Sequence, residues 1–274
     1  MEAHAHPQRT GASEWSHFVH VTRALTATEF KLRYFGSVLG YLWTVLRPLL
    51  LFGVLYVVFT HVVRFGDEVA HYPVVLLAGI VVFNFFSEAT GGGLTSLVAR
   101  ENLLRKVAFP RAAVPISISL TAAANLALGI LVVFGFALID GVTPTLGWIG
   151  FLGCVALAMA LATALSVLLS VLYVRYRDVQ PIWEVMLQLL FWGTPIIYTI
   201  ESVPDGFREA LMFNPLAVAI QQGRHWLVES STQSVADAIG SAVLLLVPLA
   251  IFGLVVALSV VLFRREGPRI AEEL

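Results

Sequence analysis

The chain has 274 residues, of which 58% are hydrophobic and only 13% are charged, and its formal net charge is −1 at neutral pH. With a mean hydropathy of +0.84, it has too few polar side chains to cover a soluble globule. The composition therefore excludes an ordinary soluble protein and indicates an integral membrane protein. Nothing in the near-zero net charge indicates a surface that binds nucleic acid.

Six apolar stretches are long enough to cross a bilayer, which takes about 20 residues per helix. They lie at Gly36–Val63, Tyr72–Leu94, Val114–Ile139, Leu146–Val174, Ile182–Ile200 and Ala238–Phe263. We therefore expect an all-α integral membrane protein with six transmembrane helices.

Cationic residues fall mostly on one side of these spans, in the segments before the first span, after the second and fourth, and after the sixth. Only Arg64, Arg208 and Arg224 fall on the other side. By the positive-inside rule, both termini are expected in the cytoplasm. The chain then divides into a cytoplasmic tail and interface helix (1–35), a six-helix transmembrane domain (36–263) and a cytoplasmic C-terminal tail (264–274).

The segment Trp15–Phe35 is amphipathic when it is drawn as a helix, with Phe18, Leu25 and Leu32 on one face. This pattern predicts a helix that lies in the cytoplasmic interface of the membrane. A loosely ordered, soluble N-terminal tail is the alternative.

The segment Glu201–Asp237, between the fifth and sixth spans, is too short in its apolar part to cross the membrane twice. Pro204 and Pro215 suit the first turns of two short helices, because proline lacks only an amide that would be unpaired there. We predict short re-entrant extracytoplasmic helices with His225 and Trp226 as interface anchors; a plain surface loop is the alternative. Non-helical backbone at this depth must be buried in protein or line a water-filled path, which favours a passage.

The sequence carries no motif for ATP hydrolysis. Its only lysines, Lys31 and Lys106, do not follow a glycine, so a Walker A sequence is absent. Metal-ligand spacing, a nucleophilic serine motif and paired carboxylates are absent from the spans too, so catalysis, a metal site and a cofactor are not expected. The triple glycine Gly91–Gly93 lacks the context of a phosphate loop and predicts close helix packing instead.

Aromatic and polar residues recur at helical spacing in two of the spans. The first span carries Tyr41, Pro48, Phe52, Tyr56 and Phe59 on one face, and the fifth carries Gln180, Glu184, Gln188, Phe191 and Tyr198. Aromatic rings stack on the C–H surfaces of sugars, and amides and carboxylates bind hydroxyl groups, so these faces could line a carbohydrate path. The alternative is that the aromatic residues are packing residues and interface anchors.

Arg47 and Glu88 lie deep in the first and second spans, where charged side chains are costly and usually functional. Both lie in the cytoplasmic halves of their spans, roughly 9–16 Å from the ends Gly36 and Leu94 at a rise of about 1.5 Å per residue. We therefore predict an ion pair between them. The pair either only satisfies two costly charges or controls a cytoplasmic entrance.

Six short motifs, in this order along the chain, resemble those of type-2 ABC exporter permeases. They are Leu39–Trp43, Arg47–Leu49, Tyr56–Phe59, Arg175–Val179, Thr194–Tyr198 and Asn214–Leu216. The resemblance runs from about Trp15 to Arg265. Within the family it is similar to the branch that exports lipid-linked O-antigen, teichoic acid, galactan and related cell-wall polysaccharides.

The resemblance implies a multi-pass permease in a bacterial inner membrane. It implies a homodimer of this chain with two copies of a separate nucleotide-binding ATPase subunit, which would bind ATP and Mg and drive export of a lipid-linked glycan. Two alternatives stay open. One is an exporter of drugs or small lipids on the same scaffold, and the other is a membrane-embedded glycan-assembly enzyme.

The resemblance also assigns candidate site residues. The substrate channel would include Tyr41, Trp43, Phe52, Tyr56, Phe59, Glu184, Gln188, Phe191 and Tyr198. A coupling helix, at about 100–109, would contact the ATPase through Arg100, Glu101, Asn102, Leu103, Leu104, Arg105 and Lys106. The extracytoplasmic gate, at about 201–237, would include Pro204, Asn214, Pro215, His225 and Trp226.

The residues themselves support a docked coupling segment, because Leu103, Leu104, Val107 and Phe109 make it too apolar for a solvated loop. A helix on the membrane surface is the alternative.

Overall fold

The structure is a computed structural model that describes residues 11–34, 40–64, 69–106, 109–228, 232–240, 243–267 and 270. All regular structure within these ranges is helical, and they contain no strand. The helices are α1 (Gly11–Tyr34), α2 (Gly40–Val57), α3 (Tyr72–Ala99), α4 (Glu101–Lys106), α5 (Ala113–Ile139), α6 (Gly147–Arg175), α7 (Val179–Gly193), α8 (Asp205–Met212), α9 (Pro215–Val228), α10 (Val235–Ile239) and α11 (Leu246–Glu266). A π-helix, Val58–Val62, continues α2.

In the part of the chain that the structure describes, five helical stretches are long and apolar enough to cross a membrane. They are Leu42–Val62, Tyr72–Ala99, Ala113–Ile139, Gly147–Arg175 and Leu246–Glu266. They correspond to the first, second, third, fourth and sixth predicted spans. The prediction of an all-α membrane protein is therefore confirmed.

The fifth predicted span, Ile182–Ile200, is interrupted in the structure. Helix α7 ends at Gly193 after 15 residues, a length of about 22 Å, which is short of the roughly 30 Å of a bilayer core. Thr194 adopts extended geometry, with φ −106° and ψ 137°. The cause is Pro195, because a proline disfavours helical geometry in the residue before it.

The sixth span begins later than the predicted Ala238. Ala238 belongs to the short helix α10, which ends at Ile239 and is followed by Gly240 with a φ of 66°. Glycine adopts this left-handed conformation without a steric penalty, so it ends the helix. The membrane-length helix α11 starts only at Leu246.

The other predicted short helices are present. Helix α1 covers most of the predicted interface helix and packs mainly against α5. Between α7 and α11, Pro215 is the first residue of α9, and Pro204 lies immediately before α8. Both prolines therefore occupy helix starts, where their missing amide is tolerated.

Helix α3 is the centre of the bundle and packs against α5 and α6. Its buried side chains lie on all sides of the helix and include Leu76, Leu77 and Ile80. A helix that is apolar all round is expected at the centre of a membrane bundle. By contrast, α2, α7 and α11 lie at the periphery and expose most of their apolar side chains.

The triple glycine permits close contact between α3 and its neighbours, as predicted, at two of its three positions. A Cβ on Gly93 would lie 2.7 Å from Cβ and 3.2 Å from Cα of Ser166 in α6, and one on Gly92 would lie 3.0 Å from Ile118 of α5. A Cβ on Gly91 would meet nothing within 4 Å. Small residues thus let α6 and α5 approach α3 closely.

The same substitution at Gly93 and at Gly91 is expected to have different effects. Gly93→Ala should destabilise the fold by about 1–3 kcal/mol, because α6 must move away from α3. Gly91→Ala should be neutral or slightly stabilising, because alanine favours a helix. Thermal unfolding of the two purified variants in detergent measures the difference, and equal melting temperatures would contradict the close contact.

Candidate functional site

The candidate residues lie at the two ends of the bundle and in a cavity between helices. The α4 end is the end where α3 finishes at Ala99 and α5 begins at Ala113. The α9 end is the opposite end, where α3 begins at Tyr72 and α5 finishes at Ile139.

At the α9 end, the buried Arg224 of α9 holds the non-helical residues Thr194–Thr199, which we call the break segment. Its guanidinium donates hydrogen bonds to the carbonyl oxygens of Pro195 and Ile196. Gly79 of α3 provides the space, since a Cβ there would lie 3.0 Å from Cζ of Arg224. Arginine offers five donors in a fixed geometry, so it satisfies carbonyls that no helix satisfies.

Two further side chains fix the break segment. The hydroxyl of Tyr72 donates to the carbonyl of Ile197 at 2.8 Å. Asn214 donates from Nδ2 to Oγ1 of Thr194 at 3.1 Å, and its Oδ1 accepts from the backbone N–H of Leu216 at 3.0 Å. Asn214, a predicted gate residue, therefore caps α9 and ties it to the end of α7.

The remaining predicted gate residues take three different positions. Pro204 is exposed at the start of α8. His225 of α9 lies with Nδ1 2.8 Å from the carbonyl oxygen of Thr232. Trp226 is partly exposed and packs on α6, where a Cβ on Gly150 would lie 2.7 Å from its ring. Both α9 side chains therefore make specific contacts within the chain.

At the α4 end, the predicted coupling residues form the short helix α4 with one buried and one exposed face. Leu104 is 5% exposed and belongs to the apolar cluster at this end of the bundle. Asn102, Leu103, Arg105 and Lys106 are exposed, Leu103 by 37%. The helix is thus docked through Leu104 and leaves a basic and apolar face uncovered.

An ion pair joins this end to the N-terminal helix. Arg100, immediately before α4, pairs with Glu29 of α1. Burial lowers the pKa of the Arg100 guanidinium below its ordinary value. Within α4, Arg105 and Glu101 pair at 2.9 Å, in the (i, i+4) spacing that favours such pairs on helices.

A cavity of about 700 Å³ lies between α2, α3 and α5. Its charged lining residues are Arg33, Arg47 and Glu88, and its polar lining residues are Thr44, Asn84, Ser87 and Asn125. Trp43 lines it on the α2 side. A cavity with this many polar groups inside a membrane-length bundle is a candidate binding site.

The predicted ion pair between Arg47 and Glu88 is replaced in the structure by a pair between Arg33 and Glu88. Asn125 of α5 donates a further hydrogen bond to Glu88 Oε1 at 2.9 Å. Arg47 lines the same cavity, but the described residues show no ion pair for it. Arg47 and Glu88 do line one cavity. The approach of α1 to α3, which brings Arg33 to Glu88, could not be inferred from the sequence.

The predicted channel residues separate into exposed and packed side chains. Trp43, Glu184 and Gln188 are exposed. Phe52 is 7% exposed and contacts Phe136 of α5 edge-on at 5.5 Å. Phe52 therefore belongs to the core of the chain, as the packing alternative predicts.

The other aromatic candidates are half-buried. Tyr56 stacks on Phe52 at 5.7 Å, and Phe191 contacts Phe83 of α3 edge-on at 5.2 Å. Tyr198 donates to the carbonyl of Trp192 at 3.1 Å. Phe59 lies in the π-helix and packs against the core, and the side chain of Tyr41 lies outside the described residues.

Several contributors to these sites were not predicted as site residues, among them Arg33, Tyr72 and Arg224. Arg224 carried a signal, since a lone arginine in the apolar neighbourhood of α9 is either buried with partners or placed at an interface. Tyr72 begins a span, where tyrosine is common as an interface residue, so its sequence context did not distinguish it.

Comparisons with known proteins agree with the motifs. A family model described as "ABC-2 type transporter" matches residues 20–228. Two proteins named O-antigen export system permease protein RfbA from Klebsiella pneumoniae are 29% and 28% identical over 201 residues, 73% of this chain and 77% of each relative. A protein of the same name from Myxococcus xanthus is 32% identical over 195 residues, 70% of this chain and 74% of the relative. These matches confirm the resemblance.

The contact between Arg224 and Gly79 yields a matched pair of substitutions. Gly79→Ala should destabilise the chain, because the new methyl group displaces the guanidinium and leaves buried carbonyls without donors, at about 1–3 kcal/mol each. Gly135→Ala in α5 is the control, since a Cβ there meets nothing within 4 Å. Thermal unfolding in detergent compares them; a Gly79 variant as stable as the control would contradict this role of Arg224.

Proposed function

The chain belongs to the ABC-2 type transporter family, and we propose that it is the permease subunit of an ABC exporter that moves a lipid-linked polysaccharide across the bacterial inner membrane. The supporting observation is its similarity to three O-antigen export permeases over at least 70% of its length. The chain would supply the path, and a separate ATPase subunit would bind ATP and Mg.

The exposed faces of the peripheral helices support a homodimer. Helix α11 exposes apolar side chains such as Leu254 and Leu258, which suit lipid. Helix α7 instead exposes Glu184 and Gln188. Charged and amide groups are costly in hydrocarbon, so this face of α7 would meet a second copy of the chain around a polar path.

In this arrangement α7 would be a shortened fifth crossing of the membrane. Its 15 helical residues would be completed at the α9 end by the break segment, whose carbonyls are satisfied by Arg224 and Tyr72. Irregular backbone at membrane depth is tolerated where protein buries it. The proposed path would be lined by Trp43, Glu184 and Gln188, with Phe52 left out because it is buried.

The two ends of the bundle would face different compartments. Basic residues in the last turns of α4 and α11, among them Lys106 and Arg265, gather at the α4 end. By the positive-inside rule this end, with both termini, would be cytoplasmic. The exposed face of α4 would contact the ATPase, while α8, α9 and α10 would form the extracytoplasmic gate.

Mass spectrometry of the complex purified from its native membrane in mild detergent tests the ATPase partner. We expect a stoichiometric subunit that carries a Walker A sequence. If repeated purifications contain no such subunit, ATP coupling is wrong for this chain.

Depletion of the chain in its native host tests the substrate. Lipid-linked glycan should accumulate on the cytoplasmic side of the membrane, because its synthesis continues without export. Accumulation of a drug or a glycan-free lipid, with normal surface glycan, would contradict the proposed substrate and favour the small-molecule alternative.

Substitutions at two adjacent leucines of α4 distinguish a defect in docking to the ATPase from a defect in folding. Leu103→Asp should reduce ATPase stimulation and export at least tenfold with an unchanged melting temperature, because Leu103 is exposed. Leu104→Asp should lower the melting temperature, because it places a carboxylate in the apolar cluster at the α4 end. ATPase activity and thermal unfolding are measured on the same preparations. A Leu103 variant with full activity would show that this face does not bind the ATPase.

A further inference from the structure

The cavity between α2, α3 and α5 has unequal numbers of positive and negative groups. Arg33 and Arg47 face a single carboxylate, that of Glu88, among its lining residues. The formal charges of these three side chains sum to +1. Because uncompensated charge is costly in a membrane bundle, the cavity is electrostatically suited to an anion.

The three charges are not equivalent. Glu88 is engaged twice at one oxygen, Oε1, which accepts from Arg33 and, at 2.9 Å, from Asn125. Arg47 reaches the cavity from α2, on a different wall, and the described residues give it no ion pair. One guanidinium is therefore balanced inside the protein, and the other is available to a ligand. Guanidinium groups bind phosphate oxygens in bidentate geometry.

The walls indicate what kind of anion would enter. Besides the polar groups, Trp43, Val81, Phe85 and Leu126 line the cavity, so part of its surface is apolar. Glu88 lies 11 residues from the α4 end of α3, about 16 Å along the helix axis. A ligand that reaches this depth and satisfies both surfaces carries a phosphate group and an apolar chain. The 700 Å³ volume is within the usual range of about 300–1,000 Å³ for small-molecule sites.

We propose that this cavity binds the phosphate or diphosphate headgroup of a membrane lipid through the guanidinium groups of Arg47 and Arg33. Glu88 competes with the phosphate for Arg33. This inference rests on the proposed function and assigns the headgroup to the lipid carrier of the exported glycan. In the structure Glu88 binds Arg33. A bound phosphate recruits Arg33 away from Glu88, and repulsion between phosphate and Glu88 limits the affinity, so the lipid can leave again.

Binding of a radiolabelled polyprenyl diphosphate to the full-length chain in nanodiscs of phosphatidylcholine tests the proposal. Arg47→Gln should weaken binding at least tenfold, and Arg47→Lys should restore part of the affinity because it keeps the charge. Glu88→Gln should strengthen binding several-fold, because it removes the competitor for Arg33. Arg64→Gln, an exposed arginine in the turn after the π-helix, is the matched control and should change nothing.

Competing lipids identify the source of the phosphate. The uncharged polyprenol should not compete, and phosphatidylglycerol should compete at least tenfold more weakly than the diphosphate. Equal competition by phosphatidylglycerol would overturn the assignment to the carrier lipid and show a general phospholipid site. Equal competition by the polyprenol would overturn the role of the phosphate.

The role of Glu88 gives an independent outcome. If Glu88 is only a structural partner of Arg33, Glu88→Gln will leave the affinity for the polyprenyl diphosphate unchanged or lower it. Either result would show that Glu88 does not compete with the phosphate for Arg33. If Glu88→Gln lowers the melting temperature, the proposal is judged on the Arg47 variants alone. Arg47 is exposed and makes no hydrogen bond or ion pair among the described residues, so its replacement should not affect folding. The assay needs neither ATPase nor export. If depletion blocks glycan export while Arg47→Gln binds normally, this inference fails and the proposed function stands.

Discussion

The hydrogen bonds between Arg224 and the break segment are the interaction on which the α9 end depends. Pro195 prevents α7 from continuing as a helix, so several backbone carbonyls lose their helical partners in an apolar setting. Arg224 and Tyr72 satisfy three of them from α9 and α3. This requires an arginine buried among apolar helices, and Gly79 is what makes the space for it. Buried carbonyls without donors, or a buried guanidinium without acceptors, would be costly. The hydrogen bonds between them satisfy the carbonyls of Pro195 and Ile196 and the two terminal nitrogens of Arg224.

The same interruption leaves α7 attached to the bundle at few points. The indole N–H of Trp183 donates to Oγ1 of Thr90 at 3.1 Å, and Phe191 contacts Phe83, but no residue of α7 is fully buried. The same helix leaves the polar side chains of Glu184 and Gln188 exposed.

Hydropathy predicted the five membrane-length helices, and Pro204 and Pro215 predicted the starts of α8 and α9, because both signals are local in the sequence. The sequence did not predict the interruption at Pro195, since the apolar run continues through it and hydropathy gives no sign of helix geometry. Glu88 forms an ion pair with Arg33 and not with the predicted Arg47, because position along a helix fixes only approximate depth and does not show which neighbouring helix approaches. The role of Arg224 could not be predicted, because it depends on the space beside Gly79, which exists only once α3 and α9 pack together.

Helix α1 links the two sites at which charges are concentrated. Glu29 contacts Arg100 beside α4, and Arg33, four residues later, contacts Glu88 in the cavity. Residues at this spacing lie on one face of a helix, about 6 Å apart along its axis. A rigid displacement of α1 therefore moves both contacts together. Helix α1 thus contacts both Glu88, the carboxylate that lines the cavity, and Arg100 at the start of α4, so the charge balance of the cavity is linked through one helix to the α4 end.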